Sequence, residues 1–320
     1  MKYKFITGII LLPLLAYGLY YGISFARIGA AYNAKMVCSC IFISGRSQES
    51  IAKEDLYNIP FARQSVDPVK KTVTSSIYGI RKKAIYRPGL GCTIVNTVDE
   101  NTLRNQWNNV AFSKQNEFEF PVDTSVSAEI VQKINLVFDS VFHEFDPHRI
   151  KRTRATLVVH DGRLIAGRYA PGISASTPLI GWSMTKSITN AMVGILIQDG
   201  KLTLDKNNIF PHWQSDERKN ITLDHLLRMC SGLAFEENYT RVSNATRMLF
   251  SEFSAGSYAS LQKLAYPVGT KWYYSSGTSN ILQSLISNTI NDQITYLGYP
   301  HQRLFNVLGM KSAVLEPDAS

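Results

Sequence analysis

One stretch of this chain limits its possible folds more than any other. Residues 183–198 (SMTKSITNAMVGILIQ) have helical composition, an apolar interior and a stop at Gly200, and they carry a single charge, Lys186. A helix apolar on nearly every side is a buried helix, so its lone lysine needs either a partner or a reason to be neutral. A core large enough to surround it must come from the rest of the sequence. With 320 residues, 45% of them hydrophobic, the chain can supply that core as one large domain or two ordinary ones, which excludes wholesale disorder.

A second uncharged run, residues 5–26 (FITGIILLPLLAYGLYYGISFA), follows Lys2 and Lys4 and precedes Arg27. It is long enough to span a bilayer. Its length and its tyrosines favour a retained transmembrane anchor over a cleaved signal peptide. Residues 1–28 are therefore expected to be an anchor with its start in the cytoplasm, in the inner membrane if the source is bacterial, and the body is expected to be exported to the periplasm. No lipid-attachment box precedes Cys38.

The formal charge is +9 and the pI near 9.3, with basic residues clustered at Lys70, Lys71, Arg81, Lys82, Lys83 and Arg87. No nucleic-acid module accompanies them, so a solvated or membrane-facing surface is expected and no nucleic-acid partner. Cys38, Cys40, Cys92 and Cys230 fit neither a zinc spacing nor a redox pair. In an exported body, Cys92 is expected to pair with Cys38 or Cys40, leaving Cys230 (LLRMCSGL) as an inert buried thiol. The sequence shows no cluster of metal ligands and no phosphate loop, so no cofactor is implied.

Residues 29–125 read as irregular, with one strand at 36–44. From 129 to 145, Ile130, Ile134, Val137, Val141 and Phe145 recur at intervals of three or four, the pattern of an amphipathic helix. TLVVH and RLIAGRYA form a hairpin through Asp161-Gly162, a pair suited to positive φ angles. Helices follow at 222–229, ending at Ser231-Gly232, and at 279–290. The order suits a mixed α+β architecture, with an antiparallel sheet on one side and a helical region on the other. Residues 126–320 are expected to form one domain.

A Ser-x-x-Lys on a helix puts hydroxyl and amine on one face, with their β-carbons about 5–6 Å apart. Burial disfavours an ammonium, which is how a lysine becomes a base near neutral pH. A first-turn serine also lies among unpaired backbone N–H groups that suit an oxyanion. The spacing occurs three times, at Ser50/Lys53, Ser183/Lys186 and Ser260/Lys263. Only Ser183 opens a long apolar helix, and the other two pairs are expected at the surface. The alternative is that Ser183 merely caps a helix while Lys186 snorkels to solvent. Residues 271–282 (KWYYSSGTSNIL), taken alone, are compatible with an ordinary turn and cap.

WSMTKS (182–187), GILIQDGKLTLD (194–205), ITLDHLLRMCSGL (221–233), PVGTKWYYSSGTSNIL (267–282) and LFNVLGMKS (304–312) follow the order and approximate spacing of the β-lactamase-related serine hydrolases. That family includes penicillin-recognising carboxypeptidases, esterases and 6-aminohexanoate-dimer hydrolases, and the chain most resembles the last two. The resemblance implies a β-lactamase/transpeptidase-like fold and hydrolysis of an amide or ester. It makes Ser183 the nucleophile, Lys186 its activating partner and Tyr274 the proton relay of a Tyr-x-Asn motif, with Trp182 and Ser276 as auxiliary substrate-binding residues. Ser276 stands where the family has Asn, so the amide's paired donor and acceptor are missing. The family's third motif is expected after LGMKS, and the sequence stops at Ser320 without it. An incomplete sheet and weak or no activity are therefore expected of these 320 residues alone.

Two other readings compete. Gly181-Trp-Ser183-Met-Thr185 approximates a nucleophile elbow, which would make the chain an α/β-hydrolase with a Ser-His-Asp triad drawing on His212, His225 or His301. Alternatively the chain keeps the fold as a non-catalytic, membrane-tethered binding protein with a degenerate site.

Overall fold

A computed structural model describes residues 2–106 and 121–320, with side chains from Leu12 onward. Helix α1 (Lys2–Phe42) opens the first segment. From Ala26 on it presents small residues to a sheet: Ala26, Ala30, Ala34 and Cys38 are at most 2% exposed. This spacing of four places them on one face. A Cβ added to Gly29 would come within 2.8 Å of Ile77 Cδ1, so the absence of side-chain bulk is what lets helix and sheet approach.

That sheet is an antiparallel meander of β1 (Arg63–Asp67), β2 (Thr72–Ile77), β3 (Ile80–Arg87) and β4 (Gly91–Val95), with α2 (Gln48–Glu54) before it and α3 (Glu100–Asn105) after it. It corrects the reading of residues 29–125 as irregular. The strands TVTSSI and IRKKAIYR are rich in Ser, Thr, Lys and Arg, which hides their alternation behind polar residues. The strand expected at 36–44 is instead the end of α1. A short apolar run cannot be told from a buried helix by periodicity, and here helical packing against the sheet decides. Residues 107–120, part of the same expected region, lie outside the described residues.

The transmembrane expectation is also corrected. Among the described residues no helix is long and apolar enough to cross a membrane. The side chains of residues 5–11 lie outside those described. From Leu12 on, Pro13, Gly18, Gly22 and three tyrosines dilute the apolar character of the run. Two of those phenols have protein partners: Arg247 donates to Tyr20 at 3.0 Å and the Val242 amide to Tyr21 at 3.4 Å.

Helix α4 (Ala128–Phe142) covers most of the expected helix but ends before Phe145, and on the expected apolar face Ile130 and Val137 are exposed, while the fully buried residue is Phe138. The hairpin β5 (Ala155–His160) and β6 (Arg163–Tyr169) turns at Asp161 and Gly162, both with positive φ as expected (48° and 72°). A 3₁₀ turn (Trp182–Met184) leads into α5 (Thr185–Gln198). Then come α6 (Leu223–Leu227), α7 (Asn244–Phe250), α8 (Ala255–Ser260), α9 (Ser276–Ile290) and α10 (Gln293–Pro300). Their core joins Met192, Val193 and Leu196 of α5 to Trp213, Phe235, Met248, Ile281 and Leu285. Helix α5 is buried on that face only, and Ser187, Asn190 and Gly194 are exposed, so its composition overstates its burial.

Two polar clusters join the layers. The Arg46 side chain, 4% exposed, pairs with Asp55 (2.6 Å) and Glu54 (2.9 Å), and Arg154 ahead of β5 reaches Asp55 at 2.9 Å. Burial, then Asp55, pushes the neighbouring Cys40 thiol up to about 11, which makes it a poor nucleophile. Glu316 forms the second cluster, pairing with Lys35 (2.6 Å) and accepting from Ser39 Oγ and the Cys92 amide. Gly91, at φ +64°, is required here, because a Cβ would meet Glu316 at 2.6 Å. Asp318 accepts from the Ala255 amide at 2.8 Å, and buried Arg87 donates to Pro317 O at 3.2 Å. Arg87 thus belongs to the interior, whereas the basic cluster was expected at a surface.

Cys38 and Cys92 form a disulfide between α1 and β4, spanning 54 residues, and Cys40 and Cys230 are free and buried. Replacing both bridged cysteines by Ala is expected to cost about 2–4 kcal/mol in urea unfolding, because the cross-link restricts the unfolded chain. Asp55→Ala leaves Arg46 and Arg154 with Glu54 as their remaining carboxylate, and the same measurement is expected to show a loss of about 3 kcal/mol.

Candidate active site

Ser183 lies in the 3₁₀ turn ahead of α5, and Lys186 lies in the first turn of that helix. Trp182 immediately before them has φ +43°, a left-handed conformation in which a bulky residue is strained, and its side chain is exposed. The other half of the site comes from the segment before α9. The Gly269 amide donates to Cys230 O and the Tyr273 amide to Met229 O, both at 2.9 Å, which fixes 269–275 against the turn after α6. Ser275 then caps α9 by accepting from the Thr278 amide, and Ser276 opens the helix. Gly277 is required there, since a Cβ would lie 2.6 Å from the Phe235 ring.

These two helix starts converge. Tyr274 donates its phenolic hydrogen to Ser183 Oγ at 2.6 Å. Lys186 Nζ lies 3.3 Å from Ser183 Oγ, 3.1 Å from Ser276 Oγ and 4.6 Å from the centre of the Tyr274 ring. Lys186 is half-buried, not enclosed as the composition of α5 suggested. The structure therefore brings together Ser183, Lys186, Tyr274 and Ser276, with Trp182 at the rim.

Glu237 and Tyr239 complete the cluster. Glu237 accepts from the Ser276 amide (2.8 Å) and from Ser276 Oγ (2.5 Å), and it also accepts a short hydrogen bond from Tyr239. Tyr239 OH lies 2.9 Å from Ser276 Oγ. Burial, then the bond to Glu237, pushes the Tyr239 phenol up to about 12, so it stays a donor through the neutral range. Neither residue was singled out from the sequence. They sit in a loop without periodicity, and the available clue was a carboxylate pair and a phenol (FEENY) between two apolar segments.

The other Ser-x-x-Lys pairs separate as chemistry requires. Lys53 and Lys263 are exposed, and Ser260, expected at the surface, is buried and donates to Ser257 O at 2.8 Å. The triad reading loses its support. His212 is engaged with Ser260 O (3.2 Å) and His225 with Thr222 (2.8 Å), His301 is buried against the Phe305 ring (5.1 Å between centroids), and both described sheets are antiparallel.

No curated protein matches the chain. Eight solved chains do. One, from Bacillus anthracis and described as a 6-aminohexanoate-dimer hydrolase, is 17% identical with a TM-score of 0.40, over 62% of this chain and 53% of that one. The chain thus spans about half the length of that protein. A model of the Beta-lactamase family matches residues 140–320, a stretch that holds every residue of the cluster above. With more than half of its length matched in this way, the chain belongs to the Beta-lactamase family, among the β-lactamase-related serine hydrolases.

Proposed function

We propose that the chain is the acyl-transferring part of a serine hydrolase that cleaves a small amide or ester, with Ser183 as nucleophile, Lys186 as its base and Tyr274 as the proton relay. The carrying observation is that one oxygen, Ser183 Oγ, has both a phenol (2.6 Å) and an amine (3.3 Å) within reach. A neutral Lys186 takes the Ser183 proton as Oγ attacks the carbonyl carbon. First-turn N–H groups such as that of Ser183 face the developing oxyanion. Tyr274 then protonates the leaving nitrogen or oxygen and recovers its proton from Lys186, after which water releases the acyl group with the same two groups in reverse roles. Trp182, exposed beside the nucleophile, offers an apolar wall to the acyl side of the substrate. The disulfide between Cys38 and Cys92 supports an exported body in an oxidising compartment.

A fluorophosphonate probe followed by peptide mass mapping tests the nucleophile. The adduct is expected on Ser183, absent in Ser183→Ala, and formed about 10²–10⁴ times more slowly in Lys186→Ala and in Tyr274→Phe, the range for losing a general acid–base group. A folded chain that stays unmodified under prolonged exposure would point instead to a binding role.

A further inference from the structure

The cluster contains more hydrogen-bonding groups than the reaction above uses, and their arrangement has a direction. Ser276 has one hydroxyl hydrogen and two lone pairs. At 2.5 Å from Glu237 Oε1, its hydrogen is committed to the carboxylate, while its amide is held by Oε2 at 2.8 Å. Its oxygen is left to accept, and Lys186 Nζ lies 3.1 Å away. Tyr239, held as a phenol, donates its hydrogen to Glu237, and its oxygen lies 2.9 Å from Ser276 Oγ. The Ser276 amide, the Ser276 hydroxyl and the Tyr239 phenol thus all donate to Glu237.

We propose that Glu237 is a positioning residue that sets the polarity of the site: by taking the Ser276 hydroxyl hydrogen it makes Ser276 an acceptor for Lys186 N–H, which leaves the lone pair of a neutral Lys186 facing the Ser183 hydroxyl. A free hydroxyl at 276 would be able to turn its hydrogen onto the amine and occupy that lone pair. An asparagine has a separate donor and acceptor and needs no such guide, whereas a serine needs one, so Glu237 and Ser276 together do the orienting that a single amide would do. Glu237 has no direct role in bond making, and no net proton transfer to it is required. The inference rests on Lys186 acting as a neutral base.

The test measures the second-order rate of fluorophosphonate labelling at Ser183 in the 320-residue chain. Glu237→Gln, which puts a donor amide where one carboxylate oxygen was, is expected to slow labelling about 10-fold or more, the scale of a hydrogen bond to a charged group. Ser276→Ala is expected to slow it as well, and the double variant to be no slower than Ser276→Ala, since Glu237 acts only through Ser276. Formate added to Glu237→Ala is expected to restore labelling when Ser276 is present and not when it is Ala, a rescue that a purely structural role would not give. Wild-type rates in Glu237→Gln, or losses that multiply in the double variant, overturn the proposal. Should Glu237→Ala not fold, the Gln variant and its cycle decide alone. Should wild-type Ser183 never label, the nucleophile reading fails separately, and acetylation of Lys186 by acetic anhydride, scored against Lys271 by mass spectrometry, takes over. It is expected to rise about threefold or more in Glu237→Gln as the amine loses its anchored acceptor. No change there overturns the proposal independently of activity.

Discussion

Packing of α5 against α9 is the constraint on which the site depends. Neither helix carries the chemistry alone: Ser183 and Lys186 come from the start of one, and Tyr274 and Ser276 from the start of the other, 88 or more residues later. The apolar faces of both are in the same core, and Gln283 of α9 donates to Thr189 of α5 at 2.8 Å across the contact. A helix start is a rigid platform with spare N–H groups, so bringing two together orders hydroxyls, amine and phenol to a few tenths of an ångström. The glycines at 256 and 277 serve the same end. Without a Cβ at either position, α8 and the Phe235 ring close on α9 from its other sides.

The parts of this arrangement that were legible in the sequence are those in which local chemistry and tertiary environment agree. The Asp161-Gly162 turn, the stop at Gly200 and the Ser-x-x-Lys that opens an apolar helix could be read because each residue type answers a local backbone demand that no neighbour contradicts. The N-terminal layer could not be read in this way. Its strands are polar because α1 covers one face and the charged residues of β3 find partners locally, as Lys83 does with Glu100 at 3.0 Å. α1 itself misled twice. Its uncharged beginning resembled a lipid-facing span and its end a strand, whereas its small residues serve a contact that only the folded sheet reveals. Glu237 was invisible for a different reason. A carboxylate in a loop has no periodicity, and its meaning comes wholly from the hydroxyl and amide it meets 39 residues away.

The charged clusters between layers are built on the same logic as the site. Arg46, Asp55 and Arg154 are each poor choices for an interior alone, yet as a set they satisfy one another and tie α2 to the start of the hairpin. Such a set fixes the relative placement of its elements more sharply than an apolar contact does, because hydrogen bonds to Asp55 and Glu54 are directional. Trp182 is a separate case of local constraint. A bulky residue in the left-handed region persists only where the flanking structure holds it there.

Glu316 and Asp318 give this architecture a temporal side. Their partners, Ser39, the Cys92 amide and the Ala255 amide, lie 277, 224 and 63 residues upstream. Ribosomal synthesis delivers α1 and the meander long before it delivers the carboxylates that finish them. For the interval between, half-buried Lys35 lacks its counterion and the β4 edge is an open template. The N-terminal layer therefore gains its longest-range contacts only after residues 316–318 have been made, a late-closing order that slows its completion.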